Sequence, residues 1–532
     1  MILSIRNFFN ATALFAFGGL VIIPTAALSD TQIVEVPRRQ SPPAITSEER
    51  PNSPVHKGHQ APPSLDPATR RAKHSEDDYR PDPHYPDEPY DVNAQLEIYG
   101  GKRAVRTPRP LLELGFPQYR EGPFGPGHDL IGSKNLVRPQ LLVYGDWRTA
   151  VALNDNGATE TGLVATRLNL DIDLKITATE RLHAFVRPID QSGKFTKYEF
   201  FGDDRDQGDL VRDINIENLF FEGDIGSIHS GLADRYVDYD LPITFGLVPM
   251  FIQNGIWVED AFVGGAIALT ARNSRRLDIT NYDITFFGGF DKVSNAGLTD
   301  ANGALADHSA NVFGIATWAD MREGHLEADW GFIDDTRDAI GDFSHHNLMI
   351  GWTKRYGGLV SNSTRVIWNI GQSPASGQAR TADGAALLFE NSLITSLPST
   401  LVPYFNAFLG IDRPQPLARG GTGLLKNTGI NFETDALTGY PKLNDTAHDS
   451  WGGAVGVEYL FDLSRSFVAE FATVQPMSST SAATSDQYAL GLRYQMNLDG
   501  RDRWLLRTDA MYGFLREAED ISGARVELRK KF

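Results

Sequence analysis

From Leu136 to the last residue, apolar and polar positions alternate along the chain with a period of two. Every second residue from Leu168 to Ile176 is leucine or isoleucine, and the residues between them are polar or charged. The same alternation recurs over 487–496 and 503–514. A period of two is typical of a β-strand with one apolar and one polar face. Several of these segments exceed ten residues, the length of a strand that crosses a bilayer at a tilt.

The connections between these segments alternate in length. Short turns are predicted at 178–181, 321–324, 356–358, 397–400, 462–465 and 498–502, and long polar connections near 190–211, 291–308, 334–344, 372–384, 412–450 and 476–485. Membrane barrels have one short-turn rim and one long-loop rim. The sequence therefore predicts an all-β protein with a single antiparallel transmembrane β-barrel of about 16–18 strands over 136–532. The stretch from Asp224 to Leu241 departs from the scheme, because a short turn is expected there.

Aromatic residues lie near the ends of the predicted strands, where a barrel meets the two membrane interfaces. Tyr356, Phe461 and Trp504 adjoin short turns, and Trp330, Phe332, Tyr512 and Phe514 lie toward the other rim. Ordinary core aromatics of a soluble sheet are the alternative, but the opposite faces of these strands are charged.

Three segments precede the predicted barrel. Residues 1–29 have the pattern of a secretory signal, with Arg6, an apolar run from Ala11 to Ile23, and Ala27-Leu28-Ser29 before a cleavage site. An N-terminal membrane anchor is the alternative. Residues 30–91 are Pro-rich and charged, and predict a disordered periplasmic extension. Residues 92–135 carry apolar pieces interrupted by glycine and proline, and predict an irregular plug in the lumen or a periplasmic lid.

The composition restricts the classes of function. The 532-residue chain is 41% hydrophobic with no cysteine, and its mean hydropathy is −0.28. It therefore has no thiolate metal site, disulfide or cysteine nucleophile. The formal charge is −18, or −19 after removal of residues 1–29, which carry only Arg6. An acidic protein repels phosphate backbones, so nucleic acid is not an expected partner.

The C-terminal residues resemble a known family. Val526, Leu528 and Phe532 alternate on one face and the chain ends in phenylalanine, while Lys530 departs from the apolar pattern. This resembles the last strand of porin-type barrels of the Gram-negative outer membrane. The resemblance implies a cell outer-membrane location, contact with lipid and lipopolysaccharide, and recognition of the strand that ends in Phe532 by the barrel-assembly machinery. In size the chain is similar to alginate-export or carbohydrate-type porins, although its mixed inner face departs from the strongly basic constriction of alginate exporters.

The polar faces of the strands are charged, and a hydrated lumen tolerates such charges where lipid does not. The predicted pore-lining residues are Arg167, Asp171, Asp173, Lys175, Arg187, Glu217, Glu327, Asp329, Arg355, Arg365, Arg493, Arg507, Arg525 and Arg529. The acidic residues belong mainly to earlier strands and the arginines to the closing ones. Two interpretations remain open: opposed clusters that set a field across the pore, or salt-bridge ladders that stiffen the wall.

The predicted extracellular loops are also acidic, at Asp203, Asp204, Asp206, Asp209, Asp334, Asp335, Asp338, Asp435, Glu517, Glu519 and Asp520. They indicate a cation-attracting vestibule, divalent-ion bridging to anionic lipopolysaccharide, or an ordinary solvated surface.

No motif for catalysis, a metal or a cofactor is present in the sequence. The acidic and histidine residues between His74 and Glu88 match no closed metal site, and the pair His345-His346 lacks further ligands. His183 and Ser192 are the one suggestive pair for a hydrolase, without a motif around them. We therefore expect no catalytic residue and no cofactor. The predicted function is a channel for small hydrophilic solutes or ions, with a plugged polysaccharide exporter or a barrel that sheathes a partner as alternatives.

Overall fold

The structure is a computed structural model that describes residues 110–115, 127–191, 193–299, 304–337, 341–421, 423–462, 464–498 and 503–532. The predicted signal sequence, the predicted extension over 30–91 and most of the predicted plug or lid segment lie outside the described residues.

The described chain forms one closed antiparallel barrel of 18 strands. The predicted strand number and fold class are confirmed. Strand β1 pairs with β2 on one side and with β18 on the other, which closes the sheet. The wall strands are β1 (Gln140–Asp155), β2 (Glu160–Lys175), β3 (Arg181–Arg187 and Lys194–Gly202), β4 (Gln207–Asp209 and Asn215–Asp224), β5 (Pro242–Ile252), β6 (Val258–Ser274), β7 (Ile279–Asp291), β8 (Ala310–Met321), β9 (Gly324–Asp335), β10 (His345–Tyr356), β11 (Val360–Ile370), β12 (Asp383–Leu393), β13 (Leu401–Arg413), β14 (Ser450–Asp462), β15 (Arg465–Pro476), β16 (Gln487–Asn497), β17 (Trp504–Leu515) and β18 (Ile521–Lys531).

The two faces of the wall follow the alternation in the sequence. Large apolar side chains such as Phe245, Ile350 and Leu490 point outward and are exposed. Outward aromatic residues include Tyr356 and Phe461 at the ends of β10 and β14. An apolar outer band with aromatic edges is the surface that a membrane-spanning barrel presents to lipid.

Lys530, which departs from the apolar pattern of β18, is paired with Trp504 of β17. Its ammonium lies 5.3 Å from the centre of the Trp504 ring. An amphipathic lysine can cover an aromatic ring while its charge stays at the aqueous edge. This contact explains how the outer face accommodates a charge at that position.

The long connection after β4 contains a helix instead of a short turn. Helix α1 (Ile225–Leu232) begins at Asp224, whose carboxylate accepts a hydrogen bond of 2.6 Å from the backbone N–H of Ser227. The other Asp224 oxygen accepts from the N–H of Leu241 at 2.6 Å, which holds the end of the connection against its beginning. No helix in the part of the chain that the structure describes has the length and apolarity of a membrane span.

The tip of the β5–β6 hairpin, residues 248–262, leaves the wall. Strand β5 pairs with β4 only as far as Leu247, and β6 pairs with β7 only from Val263 onward. Between these points the two strands pair with each other and no longer with β4 or β7. Trp257 of the tip is fully buried and donates a hydrogen bond of 2.8 Å to Asn347 on the inner face of β10. The tip therefore folds into the barrel.

A short strand, Leu112–Gly115, pairs antiparallel with the first residues of β1, from Gln140 to Val143. Strand β18 pairs with β1 only from Asp146 upward, and Phe532 exchanges two backbone hydrogen bonds with Gly145. Leu112–Gly115 thus pairs with the same edge of β1 as β18 does, at the residues of β1 that β18 does not reach. This piece of the predicted plug or lid segment is part of the wall. The remaining expectation for residues 92–135 stays a prediction.

Candidate functional site

The candidate site is the lumen, which is narrowed by the β5–β6 tip and by the loop between β13 and β14. That loop, residues 414–449, is called the long loop below. Short strand Ala418–Arg419 of the long loop pairs in parallel with Val258–Glu259 of the tip. The two inward elements therefore form one continuous structure inside the barrel.

Gln253 attaches the tip to strands β9 and β11 of the wall. Its side-chain amide donates to Asp329 at 2.7 Å and accepts from Nε of Arg365 at 3.1 Å. Arg365 in turn forms an ion pair with Glu390 of β12. Gln253 is buried, so its hydrogen bonds to charged groups fix the position of the turn.

Arg419 of the long loop holds the tip from the other side. Its guanidinium donates to the carbonyl oxygens of Gly255 and Gly423, and lies 3.4 Å from the carboxylate of Glu259. Lys426 donates to the same carboxylate at 2.6 Å. Because Arg419 is almost completely buried, burial lowers its pKa, and the charge of Glu259 opposes that shift.

Glu470 on the inner face of β15 attaches the middle of the long loop. Its carboxylate accepts from the backbone N–H groups of Ile430 and Asn431 at 3.0 and 2.9 Å, and from the hydroxyl of Tyr404 at 2.6 Å. The side-chain amide of Asn431 donates to it as well, at 2.9 Å. A buried carboxylate with this many donors is a strong anchor.

Two acidic side chains of the long loop pair with arginines of the closing strands. Glu433 lies 2.9 Å from Arg507 and also contacts Arg493, and Asp435 pairs with Arg525. Burial tends to raise the pKa of Glu433, but the two guanidinium groups outweigh it and lower the pKa below its ordinary value. At Asp435, burial likewise tends to raise the pKa, but the positive charge of Arg525 opposes it, and the pKa of Asp435 is lowered.

Asp509 of β17 completes this network from the wall. It contacts Arg493 at 2.7 Å, Arg507 at 2.9 Å and Arg525 at 2.7 Å. The closing-strand arginines are therefore compensated by carboxylates, the arrangement expected of salt-bridge ladders that stiffen the wall.

The far end of the long loop reaches the first strands of the barrel. Leu437 packs in a buried cluster with Ala150, Leu163, Ala165 and Phe195. Asn154 of β1 donates to the carbonyl oxygen of Thr438 at 2.7 Å. The loop thus extends from β13 past the closing strands to β1 and β2, and it narrows the lumen along this arc.

A row of charges on the inner face of β1–β4 stays partly accessible beside these elements. Arg167 pairs with Asp190 at 3.1 Å, and Arg187 with Glu217 at 2.7 Å. Arg148 pairs with Glu527 at 2.6 Å. The side chains of Arg148, Arg167 and Arg187 are 15%, 14% and 22% exposed. Positive groups of three neighbouring strands therefore face the same water-accessible space.

The strand register places the predicted pore-lining residues on the inner face, except Glu217, which lies at a register shift and is placed there by its ion pair with Arg187; their surroundings differ. Arg365, Arg525, Asp173 and Asp329 are buried, and Arg355 is exposed. The predicted acidic residues lie on three different strands. Asp171 and Asp173 are on β2, Glu217 is on β4, and Glu327 and Asp329 are on β9. Whether these groups govern conduction stays a prediction.

The structure corrects the expectation for Asp435, which sequence reasoning placed on an acidic extracellular surface. It lies inside the barrel against Arg525, because apolar residues of its loop are buried there. Asp203, Asp204, Asp206, Asp209, Glu517 and Glu519 are exposed as expected, and Asp338 lies outside the described residues.

Several residues of the site were missed by sequence reasoning, namely Gln253, Glu390, Arg419, Asn431, Glu433 and Glu470. One signal was present in the sequence: the connection over 412–450 contains Leu424, Leu425, Phe432, Leu437 and Leu443. Large apolar residues at this density are unusual in a solvated loop. All five are buried.

The histidines singled out in the sequence are not brought together as a site. His345 is buried and points inward, whereas the ring of His346 stacks on Trp330 of the outer face. His183 lies 3.4 Å from Asp171 and packs on Phe220, and Ser192 lies outside the described residues. Among the described residues, no group of three histidine or acidic side chains is placed to hold a metal ion.

Comparisons with known proteins give similarity in structure alone. A scan against protein-family models and a search of curated proteins each found no match. Among solved structures, OccAB4 of Acinetobacter baumannii is 10% identical, covers 74% of this chain and 98% of its own, with a TM-score of 0.48. OpdL of Pseudomonas aeruginosa is 12% identical with the same coverage and a TM-score of 0.48. OccAB3 of Acinetobacter baumannii is 10% identical, covers 74% and 99%, and has a TM-score of 0.47.

Proposed function

We propose that this protein is an outer-membrane channel that lets small hydrophilic solutes or ions cross. The observation that carries the proposal is the row of Arg148, Arg167 and Arg187, which remains water-accessible inside a closed barrel with an apolar outer band. Charges cost little beside water, and at a constriction they attract and orient polar solutes.

The inward elements support a narrow passage. The β5–β6 tip and the long loop are attached to the wall by buried charged groups, so they restrict the size of a solute that passes. A barrel that sheathes a protein partner needs a wide lumen, and this filling opposes that alternative. A plugged exporter remains distinguishable by experiment.

The orientation is part of the proposal. The long loops face the cell exterior, and the short turns, Phe532 and Leu112–Gly115 face the periplasm, as in porin-type barrels. The outer band contacts lipid, the exposed acidic loops meet lipopolysaccharide, and the assembly machinery recognises the strand that ends at Phe532. We expect no catalytic residue and no cofactor.

Planar-bilayer recording of the purified chain tests this function. We expect steady, small conductance at neutral pH, and larger conductance after residues 420–440 of the long loop are replaced by a short Gly/Ser linker. A barrel that is heat-modifiable on a gel but shows no conductance with or without residues 92–135 would contradict the proposal. Conductance that opens only after removal of 92–135 would instead favour the plugged exporter.

A further inference from the structure

A cavity of about 480 Å³ lies on the inner face of the wall, where β1, β2 and β18 end at the short-turn rim. Leu142 and Tyr144 of β1 and Pro110 of the N-terminal segment line its apolar side. This volume lies within the range of cavities that bind small organic molecules.

Four charged side chains line the rest of the cavity: Asp146, Asp173, Arg529 and Lys531. Three of them also carry a buried polar atom that has no hydrogen-bond partner in the described part of the chain, namely Oδ2 of Asp146, Oδ1 of Asp173 and Nε of Arg529, so the protein compensates these charges only in part. The Asp173 side chain is only 8% exposed. Arg529 Nε lies 3.6 Å from Asp146 Oδ2, beyond hydrogen-bonding distance.

Each of these three groups also has a partner at another of its polar atoms, which restrains the orientation of the side chain. Asp146 Oδ1 accepts from the amide of Asn169 at 3.1 Å, and Asp173 Oδ2 lies 3.5 Å from Arg181. Arg529 Nη2 donates to Glu527 at 3.2 Å. Because the charges of these lining side chains are compensated only in part, a solute with complementary charges in the cavity is stabilised by them.

We infer that the cavity is a binding subsite for a small zwitterionic solute that carries both an ammonium and a carboxylate. The ammonium faces Asp146 and Asp173, the carboxylate faces Arg529 and Lys531, and an apolar group of the solute contacts Leu142 and Tyr144. The inference deepens the proposed channel and rests on it, since a solute reaches the cavity through the lumen.

A matched series of three compounds tests the charge requirement. L-norvaline carries both charged groups, valerate lacks the amino group, and n-butylamine lacks the carboxylate. Saturation-transfer NMR on the full chain in detergent micelles measures their binding. We expect L-norvaline to bind at least about tenfold more tightly than either partner compound, because it satisfies both sets of charges. The inference is overturned if valerate or n-butylamine binds as tightly as L-norvaline. It is also overturned if L-norvaline does not bind.

Two substitutions locate the site. Asp173→Asn and Arg529→Gln should each weaken L-norvaline binding by about tenfold, whereas Glu519→Gln on an exposed loop should leave it unchanged. Heat-modifiability on a gel confirms that each variant is folded. If L-norvaline binds equally well to the folded Asp173→Asn and Arg529→Gln variants, the cavity is not its site. Conductance in salt alone, measured on the same preparations, tests the channel independently of any solute.

Discussion

Glu470 accepts two hydrogen bonds from Asn431, one from its backbone N–H and one from its side-chain amide, each of 2.9 Å. The two residues are 39 positions apart in the chain, and both are buried. This contact joins the long loop to the wall at the point where Gly429 passes directly over the carboxylate: a Cβ at residue 429 would lie 2.6 Å from Glu470 Oε2. Release of the loop therefore requires that these bonds break together.

Replacement of Glu470 by glutamine should loosen the long loop. Glutamine keeps the shape but loses the charge, and it presents an N–H group to donors that need an acceptor. We expect a loss of about 2 kcal/mol in loop anchoring, or about 30-fold faster amide hydrogen exchange over 428–432. Glu519→Gln, an exposed carboxylate, is the control. Unchanged exchange in the Glu470→Gln variant would show that the anchor is dispensable.

Arg525→Met should destabilise the barrel because Asp435 and Asp509 then lose a shared, fully buried partner. Removal of one member of a buried network typically costs about 3–5 kcal/mol. We expect a lower urea midpoint for unfolding, and a partial recovery in the double variant Arg525→Met/Asp435→Asn. Arg516→Met, at an exposed ion pair with Asp486, should have little effect. A double variant that is less stable than Arg525→Met would contradict the pairing.

His448 should make the long loop sensitive to acid. Burial is the main cause that lowers its pKa, to about 4 from 6.5, and the nearby charge of Arg413 acts in the same direction. Its Nε2 lies 3.1 Å from the side-chain amide of Gln415, which donates to the neutral ring. The unfolded histidine binds a proton more readily, so this stability is complete above pH 6.5 and falls as the pH decreases toward 4, by about 3 kcal/mol.

Hydrogen exchange over 443–449, corrected for intrinsic rates, measures this effect. Protection should decline between pH 6.5 and pH 4.5 in the native protein and much less in a His448→Gln variant. The same decline in both proteins would assign the acid sensitivity to Asp445, Asp449 or another group.

Gly491→Val should displace the long loop without a change in charge. A Cβ at this position on the inner face of β16 would lie 2.6 Å from Oδ1 of Asn431. We expect increased channel conductance and faster loop exchange, with heat-modifiability retained, because the wall strand itself accepts valine readily. Gly208→Val, which meets its nearest neighbour at 3.5 Å, is the control. Identical conductance for the two variants would show that the loop does not limit the passage.

The wall was predictable from the sequence because its signal is local. The alternation from Leu168 to Ile176 determines which side chains face inward, and the turn lengths predict the strand order. The lumen was not predictable in the same way, because its partners are distant in the chain and have no periodic pattern. Glu433 pairs with arginines 60 and 74 residues away, and Gln253 contacts a residue 112 positions away. The β5–β6 tip could not be recognised from the sequence either. Strands that leave the wall keep the same alternation of apolar and polar residues as strands within it.

The short strand Leu112–Gly115 has a consequence for assembly. Strand β1 extends beyond the end of β18, so its first residues would otherwise present unpaired N–H and C=O groups at the rim. Exposed edges of this kind are templates on which another chain can add a strand. By occupying that edge, Leu112–Gly115 pairs the backbone groups of Gln140–Val143 within the chain, so another chain cannot add a strand directly to this part of β1 once the barrel has closed.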